Sequence, residues 1–214
     1  MILSRGRGYL FIHIPKTGGT SMALALEAHA MKDDLMLGDT PKALKRRHKL
    51  SRAAARGRLW KHSTVADLEG VLAPDEAVDL FVFTLVRNPW DRAVSYYHWL
   101  REQTFAHPHV ALAGRSSFAE FLRSPSVLGT FRRGQSESYV TTSGGVMCCD
   151  LFIRLEHLDQ DLAPLERKLG FSVSLPRMNE SKRLRDYREY YSDETVALIG
   201  EATARDIALF GYRF

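Results

Sequence analysis

A glycine-rich segment near the start of the chain has the residue types that bind phosphate. Residues 9–22 read YLFIHIPKTGGTSM, in which an apolar run ends at Pro15. The polar residues that follow are Lys16, Thr17, Gly18, Gly19, Thr20 and Ser21. In such a loop the backbone N–H groups point towards a ligand, the lysine adds positive charge, and the hydroxyls donate further hydrogen bonds. The segment therefore predicts a phosphate-binding loop.

The elements on either side of this loop indicate how an anion is held. Residues 9–14 predict a buried strand and residues 22–29 a helix, so the anion is expected at the N-terminus of that helix. In a Walker A loop the lysine follows the glycines and a hydroxyl holds magnesium, whereas Lys16 precedes the glycines. The predicted ligand is therefore phosphate, without a specific indication of Mg-ATP. The alternative is an ordinary turn in which Thr20 or Ser21 only caps the helix.

A second strand-to-helix unit adds another anion-binding group. Residues 80–86 read LFVFTLV and predict a strand, which is followed by the helical sequence RNPWDRAVSYYHWL. Arg87 lies at the end of this strand, where a guanidinium can bind phosphate through two hydrogen bonds, and Ser95 follows on the helix. Two such sites predict a ligand with two phosphate groups. In the alternative, Arg87 pairs with Asp91 and Ser95 only packs.

Together these motifs resemble those of the sulfotransferases that use 3′-phosphoadenosine 5′-phosphosulfate (PAPS), particularly the carbohydrate sulfotransferases. IPKTGGTS is similar to the 5′-phosphosulfate loop of that family, and VRNPWDRAVSYYHW is similar to its 3′-phosphate motif. The pattern R-x-P-x-x-R-x-x-S-x-Y is matched by Arg87, Pro89, Arg92, Ser95 and Tyr97. Weaker similarity continues through residues 152–162 and the closing segments, so the resemblance covers most of the chain.

The resemblance implies a three-layer α/β fold like that of P-loop kinases, with a central parallel sheet flanked by helices. It implies that the loop from Lys16 to Ser21 binds the 5′-phosphosulfate, while Arg87 and Ser95 bind the 3′-phosphate. A late basic loop adds three candidate cofactor ligands, Ser181, Lys182 and Arg183. The transferred group is then sulfuryl, the acceptor is a hydroxyl, most often of a carbohydrate, the product is 3′-phosphoadenosine 5′-phosphate (PAP), and no metal is needed.

Sulfuryl transfer needs a group that stabilises the leaving phosphate oxygen and a base that accepts the proton of the attacking hydroxyl. Lys16 is the predicted stabilising group. His62, in WKHSTVADL, is the predicted base, because the glycan 2-O-sulfotransferases with a similar layout have a histidine in this region. His13, at the end of the first strand, and His98, on the helix after Ser95, are its competitors, and both are expected to have structural roles.

Length and composition are compatible with this fold. The chain has 214 residues, of which 45% are hydrophobic, and we expect one domain over residues 1–214. A third βα unit is predicted at residues 150–155. The sequence shows neither the apolar core of a signal peptide nor a membrane-spanning run, and Cys148 and Cys149 are adjacent and poorly placed for a disulfide. These features favour a cytoplasmic enzyme without membrane insertion.

A basic stretch between the two phosphate motifs is the least specific signal. Residues 42–61 include nine lysines and arginines and contain no acidic residue. The stretch is compatible with a solvated helix face, with an acidic acceptor such as an anionic glycan, and, least of all, with nucleic acid. Two other functions are considered. A magnesium-dependent P-loop kinase would share the phosphate loop, and a non-enzymatic nucleic-acid-binding module would use the basic stretch. The second of these leaves both phosphate motifs unexplained.

Overall fold

Two almost entirely apolar strands lie at the centre of the molecule. Strand β2 (Tyr9–Ile12) and strand β4 (Phe81–Val86) have the continuous hydrophobic pattern of strands that are covered on both faces. In the computed structural model, which describes residues 1–48, 55–73, 76–176 and 183–214, they are parallel neighbours with Phe11 opposite Phe83. Strand β5 (Leu151–Arg154) pairs in parallel with β4. The predicted parallel sheet is confirmed for these strands.

The other edge of the sheet is antiparallel. Strand β1 (Ile2–Ser4) pairs antiparallel with β2 and with the short strand β3 (Leu35–Met36), giving the order β3-β1-β2-β4-β5. The turn between β1 and β2 is only a few residues long, and Gly8 closes it with a φ of 66° and a hydrogen bond to Arg5. Such a short connection requires antiparallel strands, because a parallel pair needs a long crossover. The sheet is therefore mixed, with a parallel centre.

Side chains alternate between the two faces of this sheet, and both faces are covered. Helix α1 (Gly19–Ala28) and helix α9 (Leu158–Leu169) lie on one face, where Phe11 and Phe83 pack with their apolar side chains. The opposite face carries Leu10, which belongs to a separate apolar cluster. The other members of that cluster include Ile12, Val65, Leu68, Leu72, Val82 and Val140. This arrangement confirms the predicted layers around a central sheet.

The described chain divides into two compact units. The first consists of Met1–Val86 and Ser136–Met178 and contains the whole sheet. Its remaining elements are α2 (Pro41–Arg46), a 3₁₀ turn (Ala66–Leu68), α3 (Glu76–Asp79), α8 (Ser136–Val140) and a second 3₁₀ turn (Leu155–His157). The second unit consists of Arg87–Gln135 and Asn179–Phe214. That the chain works as one domain over residues 1–214 stays a prediction.

The second unit is helical. Its elements are α4 (Pro89–Arg101), α5 (Pro108–Arg115), α6 (Phe118–Leu122), α7 (Pro125–Arg133), a 3₁₀ turn (Tyr187–Tyr190), α10 (Asp193–Ala202) and α11 (Ala204–Phe210). Helix α4 begins where the sequence predicts, because the Asn88 side chain accepts hydrogen bonds from the backbone N–H groups of Trp90 and Asp91. Pro89 occupies the first helical position, where its missing N–H costs nothing.

Two general features of the described residues bear on function. Among them, no helix combines the length and hydropathy needed to cross a membrane. Within the same ranges, no three or more histidine, cysteine, aspartate or glutamate side chains are grouped so that they could hold a metal ion.

Candidate phosphate-binding and catalytic residues

The predicted phosphate loop lies between β2 and α1 in the first unit. The backbone of Lys16 is left-handed, with a φ of 68°, and Gly18, which precedes the helix, has a φ of 86°. A left-handed conformation is rare for a residue other than glycine and often marks a functional loop. Helix α1 begins at Gly19, earlier than the predicted residue 22, so Thr20 and Ser21 belong to its first turn. The backbone N–H groups of this turn have no partner within the helix and form its positive end.

Thr17 has a different role from the one its hydroxyl suggested. Its Oγ1 donates a hydrogen bond to the carbonyl oxygen of Ile14 at 2.9 Å, and the residue is only 1% exposed. The single hydroxyl proton of Thr17 is therefore used within the loop and is not available to an anion. The backbone N–H of Thr17 is then the group that this residue can offer to an anion. Thr20 and Ser21 are partly exposed, and binding of phosphate by their hydroxyls stays a prediction.

His13 supports the loop from behind. A methyl group at Gly19 would lie 2.0 Å from Cδ2 of the His13 ring. The start of α1 therefore packs so close to this imidazole that only glycine fits at position 19. His13 is buried, and this burial, followed by nearby positive charges, lowers its pKa well below the usual value. The ring is therefore neutral near pH 7. This environment fits the predicted structural role of His13.

His62 is fixed next to the start of the same loop. Its Nδ1 lies 2.7 Å from the carbonyl oxygen of His13, and the two imidazole rings are 4.6 Å apart in an edge-to-face arrangement. Because a carbonyl oxygen can only accept a hydrogen bond, Nδ1 carries the proton, and Nε2 is the nitrogen with the lone pair. The neutral His62 ring is thus held in the tautomer that can accept a proton at Nε2.

The chain around His62 is organised by a buried serine that the sequence analysis did not identify. The hydroxyl of Ser63 accepts a hydrogen bond from the Trp60 N–H at 2.8 Å. The same oxygen lies 2.9 Å from the Trp60 carbonyl oxygen and 3.1 Å from that of Arg58, to which it donates. Ser63 is completely buried. Residues 58–63 therefore form a fixed turn, and a serine directly before a threonine gave no distinctive sequence signal for it.

A cluster of two arginines and one aspartate begins the second unit. Arg87 Nε donates to Asp91 Oδ2 at 2.8 Å, and Arg183 Nη1 donates to Asp91 Oδ1 at 2.5 Å. All three side chains are at least four-fifths buried. The pairing of Arg87 with Asp91 was the alternative considered from the sequence, and it is present. The same Asp91 carboxylate also pairs with Arg183 and so orients both guanidinium groups. Two positive charges and one negative charge leave the cluster with a net positive charge.

Ser95 lies one helical turn beyond Asp91 on α4. It is 8% exposed, and its hydroxyl has no hydrogen-bond partner in the part of the chain that the structure describes. Three residues further on, His98 has a buried Nε2 without a partner among the described residues, and burial, then Arg101 and Arg183, lowers the pKa of this imidazole. That Ser95 joins Arg87 in an anion site stays a prediction.

The remaining motif residues in the second unit hold the helices together. Arg92 Nη1 donates to the carbonyl oxygen of Gly134 at 2.8 Å and lies 4.0 Å from a carboxylate oxygen of Asp206. The hydroxyl of Tyr97 donates to the carbonyl oxygen of Ser116 at 2.7 Å. Two of the three late-loop candidates, Ser181 and Lys182, lie outside the described residues.

Comparison with known proteins gives one family match and two structural matches. The sequence model described as the sulfotransferase family matches residues 1–213. The chain is similar to the crystal structure of mouse sulfotransferase SULT7A1 complexed with PAP, with a TM-score of 0.54 and 16% identity over 98% of this chain and 90% of that chain. A sulfotransferase structure from Alicyclobacillus acidocaldarius has a TM-score of 0.40 and 15% identity over 99% of this chain and 98% of that chain.

No curated protein sequence shows significant similarity to this chain. The structural match to the mouse enzyme supports the predicted α/β fold, which sulfotransferases share with P-loop kinases. Because the family model covers almost the whole sequence, the chain belongs to the sulfotransferase family.

Proposed function

We propose that this sulfotransferase transfers a sulfuryl group from PAPS to a hydroxyl of a carbohydrate. The observation that carries the proposal is the left-handed Lys16 loop at the positive end of α1, next to the hydrogen-bonded His62. The mouse enzyme was crystallised with PAP, and the residue types of both predicted phosphate sites suit such a bisphosphate. Carbohydrate as acceptor rests on the resemblance of the two motifs to the carbohydrate sulfotransferases.

The loop of the first unit would hold the 5′-phosphosulfate. Backbone N–H groups from Thr17 to Ser21 and the hydroxyls of Thr20 and Ser21 are its proposed donors. When bound, PAPS supplies the activated sulfuryl group. As the sulfur–oxygen bond breaks, negative charge develops on the departing phosphate oxygen, and the ammonium group of Lys16 stabilises that charge.

The arginine cluster of the second unit would hold the 3′-phosphate. Arg87 and Ser95 are the proposed primary ligands, and Arg183 adds a second guanidinium. Asp91 orients both arginines and keeps them close without the full repulsion of two like charges. We retain Ser181 and Lys182 as proposed ligands on the resemblance alone.

His62 is the proposed general base. Its Nδ1–H is committed to the carbonyl oxygen of His13, so Nε2 accepts the proton of the attacking hydroxyl while the new oxygen–sulfur bond forms. The sulfuryl group then leaves the phosphate oxygen for the acceptor oxygen, and PAP is the second product. No metal ion is needed to balance this transfer.

We also propose that the chain works as one domain in the cytoplasm. The described cysteines, Cys148 and Cys149, are both free thiols, which is the usual state in a reducing compartment. Burial raises the pKa of Cys149 to about 12, so this thiol is inert at neutral pH.

Calorimetric titration with PAP and with ATP, first in EDTA and then in magnesium, tests the proposed donor. We expect PAP to bind without metal and more tightly than ATP, because the protein offers two separate anion sites and the 3′-phosphate uses the second. A magnesium-dependent preference for ATP would contradict the proposal and indicate a kinase. Transfer of labelled sulfate from PAPS to a panel of oligosaccharides then tests the acceptor class.

Replacement of His62 by glutamine tests the proposed base. Glutamine can keep a hydrogen bond to the His13 carbonyl oxygen, but it cannot accept a proton near neutral pH. Loss of general-base catalysis is expected to lower kcat by about a hundredfold or more, with PAP affinity unchanged. His48→Gln, an exposed histidine in the same unit, is the matched control. A kcat for His62→Gln within a few-fold of wild type would rule out His62 as the base.

A further inference from the structure

The turn that carries His62 also presents a large aromatic surface. Trp60 is 44% exposed, and its ring centroid lies 4.9 Å from that of His62 at an interplanar angle of 86°. An exposed tryptophan is costly to leave in water, and it offers a broad rigid surface with few rotatable bonds. Its contact with the imidazole places this surface directly beside the group that accepts the proton in the proposed reaction.

A guanidinium group lies against the same indole. The Cζ atom of Arg58 is 5.8 Å from the Trp60 ring centroid, and Arg58 is exposed. The side chain of Arg58 forms no ion pair with an acid in the part of the chain that the structure describes. Arginine and tryptophan together are the residue types that most often dominate binding energy at recognition surfaces. The pair combines an apolar face with a positive charge at its margin.

Other basic side chains in the segment 42–61 make contacts within the protein. Their side chains hydrogen-bond to nearby carbonyl oxygens or carboxylates. The pairs are Lys42 with the Glu27 carbonyl, Arg46 with the Met31 carbonyl, Arg56 with Glu69, and Lys61 with Asp39. Arg58 differs from these residues because its neighbour is an exposed ring. The basic stretch therefore contains a local recognition feature as well as structural contacts.

The geometry of this feature does not depend on a ligand. The Ser63 hydroxyl bonds to the backbone of Arg58 and Trp60, and the backbone of Gly57 donates to the Asp67 carbonyl oxygen at 3.2 Å. A methyl group at Gly57 would lie 2.1 Å from Asp67 Oδ1, so the chain passes close to that side chain. A segment that is held in this way loses little conformational entropy when it binds a ligand.

We propose that Arg58 and Trp60 form the acceptor subsite and that the acceptor is an anionic sugar. The sugar ring lies against the exposed indole surface of Trp60, and its carboxylate or sulfate pairs with Arg58. In this position a ring hydroxyl reaches His62. The inference rests on the proposed function and narrows it, because it selects acidic carbohydrates over neutral sugars, phenols and lipids.

The test compares two matched probes with wild type and variants. The first probe is an unsulfated oligosaccharide of alternating glucuronic acid and N-acetylglucosamine, and the second is the same oligosaccharide with its carboxylates reduced to alcohols. Calorimetry in saturating PAP gives the affinity for each, and KM and kcat are measured with PAPS. The variants are Trp60→Ala and Arg58→Gln. Arg56→Gln, an arginine of the same segment whose partner is Glu69, is the control.

We expect wild type to bind the acidic probe about tenfold more tightly than the reduced one, the value of one charge-assisted hydrogen bond at an exposed site. Arg58→Gln removes this discrimination, and Trp60→Ala weakens both probes by tenfold or more. In both variants KM rises while kcat changes only a few-fold, and Arg56→Gln behaves as wild type. A loss of folding alone would change both kinetic parameters and PAP affinity.

Three results would overturn the inference. The first is equal affinity of wild type for the two probes, and the second is no binding of either, because the subsite is proposed to recognise a negative charge on a sugar. The third is a Trp60→Ala variant with unchanged affinity for the acidic probe. PAP binding is measured separately on the same samples. If wild type did not bind PAP, the proposed function would be overturned. If wild type binds PAP but either probe result fails, only the proposed acceptor subsite is overturned.

Discussion

Replacing Lys16 by methionine is expected to lower kcat by about a hundredfold to a thousandfold, which is the usual cost of losing one group that stabilises developing charge. PAP affinity falls much less. The reason is that the charge on the leaving oxygen grows as the sulfur–oxygen bond breaks, so Lys16 interacts more strongly with the transition state than with the bound ground state. Single-turnover rates at saturating PAPS, with PAP affinity from calorimetry, separate the two effects.

Methionine is the informative replacement because it keeps the unbranched stem of lysine and removes only the charge. Lys16 has a φ of 68°, so a β-branched residue would add backbone strain and confuse the result. Lys168→Met is the matched control, since Lys168 lies on α9 of the same unit, against the ring of Phe81. A Lys16→Met enzyme with more than a tenth of the wild-type kcat would contradict the proposed role.

Replacing Arg87 by glutamine is expected to weaken PAP binding by about tenfold to a hundredfold, the range for a lost charge-assisted contact of about 1.5–3 kcal/mol. The affinity for 5′-AMP, which lacks the 3′-phosphate, stays the same. After the replacement, Asp91 is paired only with Arg183, and the cluster has no net positive charge left for a phosphate. Titration of wild type and variant with both nucleotides isolates the contribution of the 3′-phosphate.

A surface arginine provides the control for this experiment. Arg123 also forms an ion pair with a carboxylate, that of Glu194, but both side chains are about half exposed. Arg123→Gln is expected to leave both nucleotide affinities unchanged, because exposed ion pairs contribute little. If Arg87→Gln reduced PAP and 5′-AMP binding equally, Arg87 would act on the protein as a whole rather than on the 3′-phosphate.

Local sequence patterns predicted the parts of the structure that depend on neighbouring residues. The strand that leads to Lys16, the helix that follows it and the start of α4 at Pro89 lie within a few residues of their predicted limits. Each is specified by an apolar run and an adjacent turn or cap. The antiparallel edge was not predicted, because β1 has only three residues and a pattern that short does not differ from a loop.

The contacts that were missed join residues that are distant in sequence or hidden in a turn. Asp91 meets Arg183 across 92 positions, and no periodicity specifies such a pair. Thr17 has the residue type of a phosphate ligand, yet the carbonyl oxygen of Ile14 takes its proton. Spacing alone does not distinguish a hydroxyl that faces a ligand from one that closes its own loop. These assignments required three-dimensional coordinates.

The main-chain path of the turn around Ser63 does not depend on which side chains point outward from it. Among the described residues, the Ser63 hydroxyl bonds to main-chain atoms of Arg58 and Trp60 and to no side chain, so the turn does not require an arginine or a tryptophan at those positions. We therefore expect substitution at residues 58 and 60 to leave the main-chain path to His62 unchanged, although Trp60→Ala removes the ring contact with the imidazole. The acceptor subsite proposed here would therefore change its specificity through two exposed side chains, in evolution or by design, while the main chain that carries His62 keeps its path.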